Sequence, residues 1–150
     1  MKTLMRAAAA LAASAAPALA LAQFAMVPAA QCAQPQPSQQ QVEQEYRIEA
    51  SRHLYRCYPA RVFRGRLPPL LYGVMMAEID LDAQGNVVGV TTVRRPAAAE
   101  VDPWIQAMVR RASPFPAPAA VPGGTLRVTE TFFVDRTGQF QTFTLTEGQR

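Results

Sequence analysis

The spacing Asp-x-x-Gly occurs twice, as Asp82-Ala83-Gln84-Gly85 and as Asp135-Arg136-Thr137-Gly138, and each time it separates two segments that read as strands. Before the first, Met75, Ala77, Ile79 and Leu81 alternate with Val74, Met76, Glu78 and Asp80, the two-residue period of a half-buried strand. Asp82 to Asn86 supplies the turn, with Gly85 placed for a positive φ, and Val87 to Val93 returns as a strand rich in β-branched residues. Around the second turn, Thr125 to Val134 is expected to lead into a fourth strand over Gln139 to Thr146. Connections this short join only antiparallel strands, so the chain is committed to two hairpins.

Two helices complete the pattern. Ser38 and Gln41 form an S-x-x-Q capping box, after which Val42, Tyr46, Ala50, Leu54 and Cys57 recur every three or four residues. Tyr58-Pro59 ends that helix, because proline disfavours the helical region for the residue before it. Ala60 to Arg66 is read as a further short helical turn before the breaker Leu67-Pro68-Pro69. In the second helix Asp102 is expected to cap, Pro103 to occupy the first turn, and Val101, Ile105, Met108 and Ala112 to share a face. Arg110 and Arg111 suit the negative end of its dipole. Pro114, Pro116 and Pro118 then form a stiff, extended peg, with Phe115 as its anchor in the core. The order helix, strand, strand, helix, strand, strand belongs to the α+β class.

The amino terminus reads as an export signal. Lys2 and Arg6 precede an apolar or small run from Ala7 to Ala22, and Ala20-Leu21-Ala22 has the small-x-small form of a cleavage site. A spanning helix needs ~20 strongly apolar residues, whereas this run is mostly alanine and contains Pro17. Gln31 before Cys32 argues against lipid modification at that cysteine. Cleavage after Ala22 leaves 128 of the 150 residues, with 13 basic side chains against 11 acidic ones, a net charge of +2. So small a surplus, without a basic stripe and stacking aromatics, excludes a nucleic-acid partner. Residues 23–41, rich in Gln, Pro, Ala and Ser and without periodicity, read as a linker to a domain over residues 42–147. Cys32 and Cys57 are an even pair in an exported chain and are expected to bridge.

Residues suited to chemistry are few. Asp80, Asp82 and Gly85 match part of a calcium loop, but Gln84 replaces an expected Asp or Asn and Thr91 stands where the bidentate Glu belongs, so a hairpin turn is the better account. His53 and Cys57 lie four apart on one helical face, a spacing for two metal ligands or a primed thiolate. His53 is the sole histidine and Cys32 the sole other cysteine, so a structural role is preferred, and a histidine on a helix surface makes no Ser–His–Asp set. Glu78 and Asp80 fit a solvated strand face. These residues argue for no enzyme, metal or cofactor. Six arginines lie between Arg47 and Arg66; most read as a salt-bridged surface, with Arg61, Arg64 and Arg66 as candidate contacts to an anionic partner.

Tyr58-Pro59-Ala60-Arg61, the G-x-x-x-x-E-I-D-L-D-A-Q-G-N-V hairpin from Gly73 to Val87, the helix VDPWIQAMVRRA and the A-S-P-F-P-x-P peg together resemble the C-terminal domain of TonB and TolA energy-transducer proteins, over about residues 42 to 147. The resemblance implies two helices on one face of a small antiparallel sheet of three to four strands. It also implies a periplasmic, non-catalytic protein-binding module associated with energy transduction or transmembrane transport. An envelope protein or peptide would then be recruited by strand addition along Leu126, Arg127, Val128, Thr129, Glu130, Thr131 and Phe132, with a homodimer by strand exchange as the second route. Here the strand after the second turn is expected to mask that edge.

Three departures separate the chain from that family. The hydrophobic segment is cleavable, which leaves no stable membrane anchor; the linker's 19 residues reach at most ~60 Å; and Arg94-Arg95-Pro96 stands where small polar residues are usual. An uncleaved signal would restore an anchored transducer, and His53 with Cys57 would carry the alternative of a small metal-binding protein or enzyme. Protein recovered from a periplasmic extract should have the intact mass of a chain beginning at Gln23; full-length protein confined to membranes would reverse this reading.

Overall fold

The computed structural model describes residues 23–149, and the expected signal segment lies outside them. Helix α1 spans Glu43–Cys57 and helix α2 Val101–Arg111; strands β1 (Gly73–Leu81), β2 (Val87–Arg94), β3 (Leu126–Val134) and β4 (Phe140–Thr142) form one antiparallel sheet in the order β2-β1-β3-β4. The fold is α+β, as the element order requires.

The alternation of β1 carries through to burial, with Met75, Ala77, Ile79 and Leu81 facing inward. They align with Phe132, Glu130, Val128 and Leu126 of β3 across an unbroken nine-residue register, Gly73↔Val134 to Leu81↔Leu126. Tyr46, Ala50 and Leu54 of α1 and Val101, Trp104, Ile105, Met108 and Val109 of α2 join this face in one core. Such side chains stabilise a fold by about 1.5–3 kcal/mol each when fully buried. On the opposite face Arg127 of β3 bridges Asp80 at 2.7 Å and Glu78 at 3.5 Å, so the two carboxylates are partners of a surface cation. Register shifts between β1 and β2 leave Val88 and Val93 unopposed and exposed, bulges that roughen this border of the sheet.

The Asp-x-x-Gly turns are built alike. Asp82 Oδ1 accepts from the Gln84 and Asn86 N–H groups, as Asp135 Oδ1 does from Thr137 and Gln139. The Asn86 side-chain amide, chiefly, holds the Asp82 carboxyl below its usual range, so this carboxylate is occupied by its own turn. Gly85 has φ 83°, and a Cβ there would lie 2.1 Å from the Phe115 carbonyl oxygen. No other residue admits the proline peg so close.

Several local expectations are corrected. Ser38 does not cap α1; its hydroxyl accepts from the Gln40 N–H and its own N–H donates to Ala117 O, while Val42, without a side-chain cap, precedes the helix and is exposed. Tertiary pairing with the peg outcompetes the capping box. Asp102 lies one residue inside α2, behind Glu100, and accepts from Thr92 Oγ1 at 2.7 Å and Gln106 Nε2 at 2.8 Å, tying the helix to β2. Ala60 to Arg66 forms no helix. A hydrogen-bonded turn closes at Arg61, whose N–H donates to Tyr58 O, and the chain then runs beside β4, with Phe140 N–H donating to Arg61 O, Phe63 N–H to Phe140 O, and Gln141 Nε2 to Phe63 O and Gly65 O. The fourth strand stops at Thr142 and continues as a 3₁₀ turn, Phe143–Leu145. The ordered domain also passes residue 147, since Gln149 bridges to Leu67.

Residues 23–41 are not a free linker but a strap bound along the domain. Phe24 is buried, stacked on Tyr72 at 5.3 Å and edge-on to Trp104 at 5.1 Å. Gln31 N–H donates to Cys57 O, Trp104 Nε1 to Met26 O and Arg111 Nη1 to Val27 O. A strap that is helical over residues 23–25 and irregular beyond has no periodicity to betray it. Among the described residues no helix is long and apolar enough to cross a membrane.

The peg crosses between these parts as expected, with Phe115 buried, its N–H donating to Gly85 O, and Tyr46 Oη donating to Pro116 O at 2.6 Å. Phe115→Ala should therefore cost about 3–5 kcal/mol, read as a lowered urea midpoint with an unchanged denaturant slope.

Candidate functional site

β4 is three residues long, so it pairs with only Phe132, Phe133 and Val134 of β3. Leu126 to Thr131 extend past it with β1 on one side alone. In an antiparallel strand the N–H and C=O of one residue point to the same side, and successive residues alternate. Thr129 O accepts from Arg47 Nη1 at 3.3 Å, and Thr131 N–H donates to Glu130 Oε1 at 2.8 Å. Arg127, Thr129 and Thr131 therefore aim their main-chain groups outward, where side chains instead of a strand meet some of them. β4 itself has no such opening, because Arg61 to Phe63 cover its far side.

Glu130 explains why β4 ends early. It is a buried carboxylate whose Oε2 accepts from Ser51 Oγ at 2.8 Å and whose Oε1 accepts from Thr131 N–H and, at 3.3 Å, Thr144 N–H. Bending over this carboxylate turns the chain from strand into the 3₁₀ turn, and Phe143 is left 61% exposed, its ring 6.4 Å from Phe133. The expected mask thus covers only one end of β3. Of the residues expected to bind a partner, Phe132 is removed, since it is buried and paired on both sides, with Met75 and Thr142. Leu126, Arg127, Val128, Thr129, Glu130 and Thr131 stay on the uncovered stretch. Val128 and Glu130 project inward there. Removing residues 139 to 150 would not simply unmask an edge, because Phe140 is fully buried against Tyr55 and Phe132.

The three candidate anion contacts separate. Arg61 is half-buried and donates to Thr137 O at 3.3 Å, while Arg64 and Arg66 are exposed. A groove of about 420 Å³ between the strap and α1 carries two further arginines, Arg52 and Arg56, opposite Pro35 and Pro37. Its strap wall was invisible to a reading that left residues 23–41 free.

Cys32 and Cys57 are disulfide-bonded, as expected. His53 is not on a helix surface: it is 1% exposed, its ring 4.8 Å from that of Phe115. Its Nε2 lies 2.7 Å from Ala112 O and 3.4 Å from Cys57 Sγ. A carbonyl can only accept, so Nε2 carries the proton. Burial pushes the His53 pKa down, the Ala112 hydrogen bond partly opposes this, and the Arg56 charge lowers it further. One donor atom from each of Cys32, His53 and Cys57 lies within 4.8 Å of the others. The sequence reading named Cys32 as the sole other cysteine without placing it beside His53; the structure brings all three together.

No protein-family model, curated protein or solved structure matches the chain.

Two outcomes follow from the cluster. The neutral form of buried His53 is favoured in the folded state, so its contribution is full above the ordinary histidine value near 6.5 and is lost as pH falls through the lowered folded value. Urea midpoints should drop on acidification from about 6.5 towards that lowered value, and His53→Gln should flatten this component. The disulfide closes 25 residues, for which chain entropy gives about 3 kcal/mol. Cys32→Ser with Cys57→Ser should lower stability by that order and open residues 23–41 to limited proteolysis.

Proposed function

We propose that this chain is a non-catalytic periplasmic interaction module of TonB/TolA C-terminal-like type, which recruits an extended segment of an envelope protein or peptide along Leu126 to Thr131. The observation that carries this reading is the six-residue stretch of β3 that β4 does not reach. An incoming strand would exchange hydrogen bonds with Arg127, Thr129 and Thr131 and displace two weak local caps, the Arg47 guanidinium and the Glu130 carboxylate. A second copy of the chain could supply the same segment. The opposite border, β2, carries bulges and is the poorer template.

Signal cleavage, the disulfide and the association with energy transduction or transport belong together in this reading. A module released from the membrane and tied to a short strap would act as a recruiting partner, not as the force-bearing link itself. A photo-crosslinking residue at position 127 should capture an envelope protein in intact cells, whereas one at Thr91 on β2 should not. Thr129→Pro, which removes an outward N–H without touching the β1 pairing, should abolish the adduct with circular dichroism unchanged. An adduct that survives Thr129→Pro, or equal capture from Thr91, would overturn the proposal.

A further inference from the structure

The Cys32–His53–Cys57 cluster is built as more than a staple. α1 fixes two of its members, because His53 and Cys57 are one turn apart and both buried, with Nε2 3.4 Å from Sγ. The third arrives on the strap, held in place by the hydrogen bond from Gln31 N–H to Cys57 O at 2.8 Å. That bond does not involve sulfur, so it does not itself depend on the disulfide. Phe115 closes the apolar side, and Cys32, unlike Cys57, is partly exposed.

We propose that the dithiol form of this cluster is a soft-metal site that takes one Cu(I) ion on Cys32 Sγ, Cys57 Sγ and His53 Nε2, gated by the chain's own disulfide. A dithiol reductant opens the gate: two electrons and two protons pass to the Cys32–Cys57 bond, giving two thiols, and the reductant leaves as its own disulfide. Attack falls on Cys32, the accessible sulfur, so Cys57 is the leaving group. Metal binding then releases both thiol protons. The Nε2 proton moves to Nδ1, so the imidazole stays neutral and turns its lone pair from Ala112 O to the ion.

Geometry and ligand type favour this ion. Metal–sulfur bonds near 2.3 Å place trigonal donors about 4 Å apart, and the three atoms already lie within 4.8 Å of one another. Cys32 has to retreat from its partner, and it sits on the strap, the one part of the cluster outside a helix, while the His53 ring has to turn from Ala112 O. Two thiolates and an imidazole are a soft set suited to Cu(I). A structural zinc site takes four protein ligands, and the sequence holds no other histidine or cysteine; zinc held by these three and a water is the rival that the titration separates. This inference is independent of the sheet edge.

The test uses the full mature chain, reduced with a dithiol, freed of reductant without oxygen, and titrated with Cu(I) against a coloured Cu(I) chelator. The expected result is one equivalent held per reduced chain, none per oxidised chain, and a sulfur-to-copper absorption band in the near ultraviolet. Cys57→Ser should weaken retention at least 100-fold and His53→Gln at least tenfold, while Zn²⁺ in excess should not displace the ion. X-ray absorption should report two sulfurs and one nitrogen. No retention by the reduced chain, retention indifferent to His53→Gln, or displacement by Zn²⁺ would each overturn the assignment. Should reduction unfold the chain, circular dichroism must show Cu(I) restoring the fold in wild type but not in His53→Gln; failure of that difference also overturns it.

Discussion

β1 against β3 is the pairing on which the molecule rests. Nine consecutive residues align across a sequence separation of about fifty, from Gly73↔Val134 to Leu81↔Leu126. Closing so long a loop costs chain entropy before any contact is made. The register repays it because every inward position on one strand meets an inward position on the other, as with Met75 and Phe132 or Ile79 and Val128. A slip by one residue would turn the whole inward set of one strand to solvent. Both helices need this face, and β2 and β4 have no other strands to join.

The second level of order is a set of long-range main-chain ties around the proline peg. Phe115 N–H reaches Gly85 O, Pro116 O receives the Tyr46 hydroxyl, and Ala117 O receives the Ser38 N–H. A segment without regular structure thereby joins the first hairpin turn, α1 and the strap. Proline makes this practicable, because a stiff chain loses little freedom on folding and lacks N–H groups that would otherwise need partners. The strap in turn delivers Phe24 to Tyr72 and Trp104 and Cys32 to Cys57.

The two features on which the proposals rest arise from the same economy of structure. Glu130, buried beneath α1, bends the chain at Thr144 and stops β4, and the early stop leaves Leu126 to Thr131 open. His53, on the same helix, is enclosed where the strap and the end of α2 converge, beside a disulfide and the Ala112 carbonyl. Each combines a helix with an irregular chain segment held against it.

Elements governed by contacts within a few residues were legible in the sequence. The Asp-x-x-Gly turns read correctly because each Asp binds N–H groups two and four residues ahead, whatever surrounds it. Strand alternation and the stripes of both helices were equally plain, since a single buried face imposes its period on the chain. Ser38 and Asp102 misled because a capping signal is worth only about 1 kcal/mol, no more than a tertiary hydrogen bond contributes, and tertiary partners, Ala117 and Thr92, claimed these residues. The length of β4, the docking of residues 23–41 and the meeting of Cys32, His53 and Ala112 had no local signature. They depend on groups up to eighty residues apart brought together by the crossing of the peg and the strap, and only the packed core decides where those crossings fall.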